Sequence, residues 1–206
     1  IPENKLRIRE HDESELAHYA KKTSDIEFEY PWGWGELEGI ANRGNYDLNA
    51  HQESSGKDLR YFDPNSDNKF SPSVIEPAGG LTRTLFAVLL SLYEEEELEK
   101  EVRTLFKFKF DLAPIQIGIL PLSKKEELIE VCNSIKSELG SIFRTEIDVT
   151  QSIGKRYRRQ DEIGTPYCIT VDFDTLEDKA VTVRDRDSMS QERVKIEDIK
   201  SYFDNM

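Results

Sequence analysis

The sequence has few cysteines and histidines and lacks a long hydrophobic run. Cys132 and Cys168 both lie in apolar stretches, which argues against a disulfide framework and a zinc pattern. The histidines, His11, His18 and His51, have no ligand spacing to one another or to a cysteine, so we expect structural or surface roles and no zinc site. No apolar run approaches the roughly 18 residues of a membrane span. These absences predict a cytoplasmic protein of a reducing compartment, without a membrane partner.

The sequence is also short of positive charge. It carries 28 basic and 41 acidic side chains, a net charge of −13. The imbalance is concentrated in the first 100 residues, which hold 11 basic and 21 acidic side chains, against 17 and 20 in the remainder. A surface that bound nucleic acid throughout would have the opposite sign. The composition therefore leaves room only for a local basic patch, in the second half.

Apolar spacing predicts two regions of different character. In the second region strands alternate with helices, which is typical of a three-layer α/β domain with a mixed sheet. We predict the boundary within residues 100–112, and assign residues 1–108 and 109–206 to the two domains. Predicted strands cover residues 25–30, 36–41, 73–76, 115–120, 145–149, 166–173 and 180–185, the last two joined as a hairpin. Predicted helices cover residues 12–22, 81–93, 124–139, 152–161 and 194–203; residues 52–72 are predicted to be an irregular loop, and the acidic run 94–97 a solvated helix end.

The segment from Glu76 to Arg83 has the composition of a ligand site. Gly79 and Gly80 let the backbone approach a ligand closely, and the helix that follows begins with free N–H groups at the positive end of its dipole. Arg83 adds a full positive charge, while Glu76 suits an ammonium group. Together these groups suit a zwitterionic or phosphorylated substrate. The alternative is an ordinary glycine turn and helix start with a surface arginine.

A second unusual segment surrounds the predicted strand over residues 36–41. Because successive strand residues point to opposite faces, Glu36 and Glu38 are predicted to share one face and Leu37 to take the other. Two carboxylates on one face repel each other unless a cation lies between them. Bound Mg²⁺ or a substrate amine would supply that cation. The alternative is an exposed face with both carboxylates in water.

One short helix carries the basic patch of the second half. Four cations and an aromatic residue fall within five positions, and such a cluster can contact phosphates and stack on an unpaired base. The alternative is a solvated helix face whose cations pair with nearby carboxylates. The candidate nucleic-acid-binding residues are Lys155, Arg156, Tyr157, Arg158 and Arg159.

Four segments of the chain resemble one enzyme family. AHYAKKTSDIEFEYPWGWGELEGIANRGNYDLNAH, residues 17–51, closely resembles the glycyl-tRNA synthetases of the dimeric class II type. VIEPAGGLTRTLFAVLL, residues 74–90, resembles motif 3 of class II synthetases. LAPIQIGILPL and IGKRYRRQDEIGTPYCITVD resemble the anticodon-binding domain shared by the glycyl, histidyl, prolyl and threonyl enzymes. The resemblance covers nearly the whole chain, and GELEGIA is the segment that points to glycine.

The resemblance implies a fold, a reaction and a set of site residues. The fold would be part of an antiparallel class II catalytic sheet with helices, followed by a three-layer α/β anticodon-binding domain, and the reaction would be ATP-dependent attachment of glycine to tRNA(Gly) in translation. ATP would be bound by Glu36, Leu37, Gly80, Leu81, Thr82 and Arg83, with Arg83 and Glu36 catalytic and Glu36 near the Mg²⁺ that accompanies ATP. Glycine would be bound by Glu76, Pro77, Ala78, Gly79 and Gly80.

The chain departs from the family pattern in two respects. Position 78 is often serine in the family and contacts the amino acid, whereas Ala78 lacks that hydroxyl. Motifs 1 and 2, which build the dimer interface and grip the α-phosphate, are absent, and the chain opens at Ile1. We therefore expect the C-terminal part of an enzyme that is homodimeric at full length, and a chain that is inactive alone. The alternative is a non-catalytic, synthetase-like accessory protein that binds tRNA or another nucleic acid.

Overall fold

The computed structural model describes residues 1–99 and 101–204. The chain forms two compact units, one from Ile1 to Ser91 and one that begins at Leu92. The sequence instead placed the boundary at 108/109. The difference is a hairpin of two strands, β7 (Tyr93–Glu97) and β8 (Val102–Phe106), which groups with the second unit because Arg103 of β8 is buried there against Asp161.

The first unit is built on an antiparallel sheet of four strands. Their order is β1-β2-β3-β6, and each neighbouring pair is antiparallel. A small core of Phe28, Tyr30, Leu37 and Ala87 joins the sheet to the helix α2. The elements are β1 (Leu6–Glu10), β2 (Lys22–Tyr30), β3 (Gly33–Gly44), α1 (Tyr46–Ser55), β4 (Tyr61–Asp63), β5 (Asn68–Phe70), β6 (Val74–Gly79) and α2 (Leu81–Leu92).

The second unit is a mixed sheet with helices on both faces. Its order is β10-β9-β11-β12-β13, with β9 parallel to β10 and β11, and the remaining pairs antiparallel. The predicted three-layer α/β arrangement is confirmed. The elements after β8 are β9 (Ile117–Pro121), α3 (Glu126–Leu139), β10 (Thr145–Ile147), α4 (Ile153–Ile163), β11 (Tyr167–Val171), α5 (Asp174–Asp178), β12 (Ala180–Asp185), β13 (Gln191–Lys195) and α6 (Ile199–Phe203).

The two faces of this sheet differ in chemistry. On one face, Leu128, Cys132, Ile135 and Leu139 of α3 pack with apolar strand residues and with α6. Their spacing places them on one side of α3, which is why the apolar pattern predicted this helix correctly. On the other face α4 is held by polar groups, since Tyr157 bonds Thr170 and Asp161 bonds Arg184.

Five predictions of secondary structure were wrong, and pairing between distant segments explains most of them. Residues 12–22 were predicted to be a helix but contain only a 3-10 turn, Glu13–Glu15. The segment links the paired strands β1 and β2, and near its end the Lys21 amide donates to the backbone oxygen of Asn42 at 2.7 Å. Residues 52–72 contain the end of α1 and the β4–β5 hairpin. The acidic run lies in β7, where Lys107 pairs with Glu94 at 2.5 Å.

The strand before α2 continues to Gly79, since β6 is an edge strand that tolerates Pro77. Residues 194–203 form the end of β13, a 3-10 turn (Ile196–Asp198) and the short α6.

Candidate functional site

One face of the first sheet carries a depression lined by carboxylates and small side chains. Its volume is about 270 Å³. Small residues form its floor, because Gly39 of β3 pairs with Ala78 of β6, and Ala41 lies next to them on the same face. The lining residues are His11, Glu15, Ala17, Tyr19, Thr23, Asp25, Glu36, Gly39, Ala41, Glu76 and Ala78. The sheet thus brings Glu36, Glu76 and Ala78 to one depression.

Glu36 and Glu38 do not share a face, and that prediction was wrong. The pairing of β2 with β3 shifts register between Ile26 and Glu27. Ile26 is paired with Glu38, and the next residue, Glu27, is paired with Glu36. Because Ile26 and Glu27 are consecutive, their partners lie on opposite faces. The extra residue is Leu37, whose side chain is buried in the core and not in the depression. Alternation along one strand could not reveal a β-bulge.

Each carboxylate of the depression has a basic side chain as a neighbour. Asp25 is 2.7 Å from Nε2 of His11, and Glu76 is 2.5 Å from Nη1 of Arg43. Glu36 is 3.5 Å from Nη1 of Arg83. Together with Glu15, which lies 2.5 Å from Nη2 of Arg9, these carboxylates surround a floor without side-chain bulk, so the arrangement suits a small molecule that carries an ammonium group.

Arg43 is a functional candidate that the sequence reasoning missed. It forms two hydrogen bonds to Asp47, at 2.6 and 2.9 Å, and one to Glu76, and its guanidinium lies 3.9 Å from the centre of the Tyr19 ring. Hydrogen bonds to Asp47 and Glu76 raise the pKa of Arg43, and the bond from Arg43 lowers the pKa of Asp47. The i,i+4 spacing of Arg43 and Asp47 was the only signal available in the sequence.

Arg83 lies in the first turn of α2, at the edge of the same face. Its Nη1 donates to the backbone oxygen of Glu36 at 2.9 Å, and half of its side chain remains exposed. Gly80, Leu81 and Thr82 are exposed beside it. An exposed guanidinium at a helix N-terminus is placed to receive an anion.

A second depression, of about 360 Å³, adjoins the first at Glu36. Tyr30, Trp32 and Phe86 line it with nearly parallel rings, and Arg83 completes it. Within residues 1–99 and 101–204, no group of three or more His, Cys, Asp or Glu side chains is placed to hold a metal ion. A magnesium ion near Glu36 would therefore need ligands from a bound phosphate as well.

The predicted basic patch on α4 is divided by the structure. Arg156 is buried and donates to the backbone oxygens of Pro121, Val149, Thr150 and Gln151, so it stabilises the fold and does not face a partner. Its burial disagrees with the expectation that Arg156 is one of the nucleic-acid-binding residues. Lys155 is exposed, and the described part of the chain offers its ammonium no bonded partner.

The other two arginines of α4 are half-buried and paired. Arg158 bonds Glu101 and lies 3.6 Å from Asp161. Arg159 bonds Asp148 at 2.6 Å. Burial would raise the pKa of Asp148, but hydrogen bonds from the Thr150 amide and Arg159 hold that pKa below its usual range.

A depression of about 420 Å³ lies at the N-terminal end of α4. Lys155 and Arg158 supply positive charge to it, and Arg184 lies at its floor, with its guanidinium 4.9 Å from the centre of the Tyr157 ring. Arg184 is fixed by two hydrogen bonds to the buried carboxylate of Asp161, at 2.9 and 3.2 Å. Arg184 was not among the predicted residues, because it is far from α4 in the sequence and reaches it only through the sheet.

Comparison with known proteins agrees with this architecture. A family model described as an anticodon binding domain matches residues 116–206. A glycine–tRNA ligase of Clostridium acetobutylicum is 55% identical over 205 residues, which are 99% of this chain and 44% of that protein. A glycine–tRNA ligase of Bacillus cereus is 51% identical over 204 residues, again 99% of this chain and 44% of the relative. The chain thus spans less than half the length of these relatives.

A solved structure shares the fold. A prolyl-tRNA synthetase of Cryptosporidium parvum, complexed with L-proline and AMP, superposes with a TM-score of 0.68 at 19% identity, covering 97% of this chain and 41% of that chain. In addition, none of the helices among the described residues is both long enough and apolar enough to span a membrane.

Proposed function

We propose that the chain is the C-terminal part of a glycine–tRNA ligase, because glycine–tRNA ligases are 55% identical to nearly the whole of it and an anticodon-binding family model matches its second unit. In this proposal the first unit supplies part of the site that activates glycine, and the second unit binds tRNA(Gly). The observation that carries the proposal is the floor of Gly39, Ala41 and Ala78, ringed by four carboxylates and flanked by Arg83. The enzyme would act in the cytoplasm, as a homodimer at full length.

The proposed reaction has two steps, and the residues of this chain hold charge in both. A carboxylate oxygen of glycine attacks the α-phosphorus of ATP, pyrophosphate leaves, and glycyl-adenylate forms. A hydroxyl at the 3′ end of tRNA then attacks the glycyl carbonyl, and AMP leaves. Asp25, Glu36 and Glu76 hold the ammonium group, while Arg83 stabilises negative charge on the phosphates. When bound with ATP, Mg²⁺ would supply further charge neutralisation, and Glu36 would help to hold it.

Selectivity for glycine would come from space as well as from charge. The exposed floor lacks side chains larger than a methyl group, and the carboxylates fix the amine above it. An extra methyl group on a substrate changes binding by only about 1–3 kcal/mol in such sites, so the position of the amine must do part of the selection. Ala78 offers no hydroxyl group, so the carboxylates would position the amine.

A chimera tests the activation step. This chain would replace the matching segment of the Clostridium acetobutylicum relative, and glycine-dependent ATP–pyrophosphate exchange would be measured for the chimera and for its Glu76→Gln and Glu38→Gln variants. We expect exchange in the chimera, a loss of at least about tenfold for Glu76→Gln, and little change for Glu38→Gln. Glu38 is the matched control because it lies on the opposite face of the same sheet. An inactive chimera with an active parent would instead favour a non-catalytic, synthetase-like binding protein.

A binding experiment tests the second unit. Binding of tRNA(Gly) and of the same tRNA with an altered anticodon would be measured across a salt series. We expect weaker binding of the altered tRNA, and a smaller salt dependence for Lys155→Ala, because one phosphate contact is lost. Equal binding of both tRNAs would refute anticodon recognition by this unit.

A further inference from the structure

Arg43 occupies an irregular position at the end of β3. Asn42 of β3 pairs with Ile75 of β6, and Gly44 pairs with the next residue, Val74, so Arg43 is the extra residue of a β-bulge. Gly44 has a φ of +55°, in the left-handed region that glycine adopts readily. A bulge bends its strand and turns a side chain out of the regular alternation. The bulge therefore sets the direction of the Arg43 side chain.

Three partners hold the guanidinium of Arg43. Its Nε and Nη2 donate to the two carboxylate oxygens of Asp47, at 2.6 and 2.9 Å, and its Cζ lies 3.9 Å from the centre of the Tyr19 ring. This leaves Nη1, which donates to Oε2 of Glu76 at 2.5 Å. Two parallel bonds to one carboxylate, together with an aromatic contact, require the planar fork of arginine, which lysine lacks. The Arg43 side chain is 20% exposed, so its orientation is fixed by these contacts.

Glu76 keeps one oxygen for a ligand. Its Oε2 accepts the bond from Arg43, whereas no donor to its Oε1 is found within residues 1–99 and 101–204. Glu76 lines the carboxylate-lined depression, and its side chain is 43% exposed. Because Arg43 already fixes the carboxylate, an ammonium group in the depression would meet an acceptor that is ordered before it binds.

Asp47 preserves the negative charge that Glu76 presents to the depression. An arginine paired with Glu76 alone would cancel that charge and would repel an ammonium group at short range. The bond from Arg43 lowers the pKa of Asp47, so Asp47 is ionised near neutral pH. Arg43 and Asp47 are therefore neutral as a pair, and Glu76 is oriented without being neutralised.

The same contacts explain the position of α1. This helix buries none of its residues fully, so apolar packing does not hold it against the sheet. Asp47 lies in its first turn, where a carboxylate is favoured by the helix dipole, and four residues after Arg43. The helix thus contributes the carboxylate that anchors Arg43.

We propose that Arg43 is a positioning residue that orients Glu76 toward the ammonium group of glycine, with Asp47 as its anchor. This role rests on the proposed function, because it requires Glu76 to bind the amine. Arg43 does not touch the substrate. Since it acts through Glu76, its effect falls on glycine and not on ATP.

The test uses the chimera described above and measures ATP–pyrophosphate exchange with varied glycine and with varied ATP. Arg43→Lys keeps the charge and removes the fork, while Asp47→Asn keeps the size of the anchor and removes its charge. Arg60→Lys is the matched control. Arg60 also forms two hydrogen bonds to one carboxylate, that of Asp58, in the same unit but outside the depression.

Arg43→Lys and Asp47→Asn should each raise the KM for glycine by about tenfold or more, the effect of one misplaced hydrogen bond to a charged group. The KM for ATP should stay near its value in the unmutated chimera, and Arg60→Lys should change neither KM. A double-mutant cycle supplies a readout that a structural role would not give. In the Glu76→Gln background, Arg43→Lys should have little further effect, because the carboxylate that it positions is gone.

Two results would overturn the role of Arg43 and leave the proposed function intact. If Arg43→Lys leaves the KM for glycine unchanged in an active chimera, Glu76 needs no positioning by Arg43. If Arg43→Lys keeps its full effect in the Glu76→Gln background, or raises the KM for ATP equally, Arg43 supports the fold of the unit and not the amine site. An inactive chimera with an active parent would instead reject the proposed function, and the role of Arg43 with it.

Discussion

Replacing Arg156 by methionine should destabilise the second unit without removing a tRNA contact. The substitution keeps most of the side-chain stem and deletes the guanidinium. That group donates to four backbone oxygens, of Pro121, Val149, Thr150 and Gln151. The matched control is Lys155→Met, one position earlier on the same helix, where the side chain is exposed.

The expected magnitude follows from the surroundings of the four oxygens. A hydrogen bond to a charged group contributes roughly 1.5–3 kcal/mol net, and an oxygen left buried without a donor costs about as much. The bond to Pro121 is buried, whereas water can reach the other oxygens, whose bonds are half-buried. Removing a buried cation also removes its desolvation cost. We therefore expect a loss of about 2–4 kcal/mol for Arg156→Met, and less than about 0.5 kcal/mol for Lys155→Met.

The chain contains separate probes for its two units. Trp32 and Trp34, its two tryptophans, lie in the first unit, and Cys132 and Cys168 are buried in the second. Tryptophan fluorescence against urea thus reports the first unit, and pulsed thiol labelling against urea reports the second. Arg156→Met should move the thiol-labelling midpoint to lower urea and leave the fluorescence midpoint unchanged.

tRNA binding provides the opposite readout. Below its unfolding transition, Arg156→Met should bind tRNA with the wild-type salt dependence, whereas Lys155→Met should lower the slope of log K against log salt by about one phosphate contact. If Arg156→Met unfolds at the wild-type urea concentration and lowers the salt slope, the guanidinium faces tRNA, and the assignment of Arg156 to the interior is wrong.

Three further predictions concern other parts of the chain. Gly39→Ala adds a methyl group at ordinary contact distance from Asp25 and Glu36, so in the chimera described above it should raise the KM for glycine about tenfold or more, with unchanged urea midpoints. Burial alone would raise the pKa of Asp172, but hydrogen bonds from Arg193 and Thr175 lower it. Stability from this group is therefore present above the unfolded pKa of about 3.9 and lost as pH falls below it. The urea midpoint followed by circular dichroism should therefore fall less with pH for Asp172→Asn than for wild type. Burial raises the pKa of Cys132 and of Cys168 to about 12. A thiol reagent at pH 8 should therefore label neither cysteine in the folded chain and both in urea. Rapid labelling of either cysteine in the folded chain would show that it is not buried.

Local pattern was a good guide wherever a segment packs by its own periodicity. The apolar spacing of Leu128, Cys132, Ile135 and Leu139 predicted α3 and its buried side, and the apolar run at 115–120 predicted the buried inner strand β9. The pattern was a poor guide where a partner segment decides. The run 94–97 is acidic enough to favour an exposed helix end, yet pairing with β8 makes it a strand.

The site shows the same division at the level of side chains. Glu36, Glu76 and Arg83 were identified from local composition and resemblance, and the sheet does bring them to one region. That Glu36 and Glu38 lie on opposite faces of the sheet could not be predicted, because the bulge at Leu37 arises from how β2 and β3 pair. Arg43 and Arg184 were missed for a related reason. Each reaches its site from a strand whose neighbours in space are distant in sequence.

By itself, the sequence determined the likeness of the chain to glycyl-tRNA synthetases, the three-layer α/β class of the second unit and the presence of a local basic patch in an acidic chain. It could do so because these depend on residue identity and short-range spacing. Only the tertiary structure decided which charges are available to a ligand. Arg156 and Lys155 are adjacent and both cationic, yet one is buried under four carbonyl oxygens and the other is in solvent. That difference depends on which side of α4 faces the sheet, and hence on contacts that no local pattern contains.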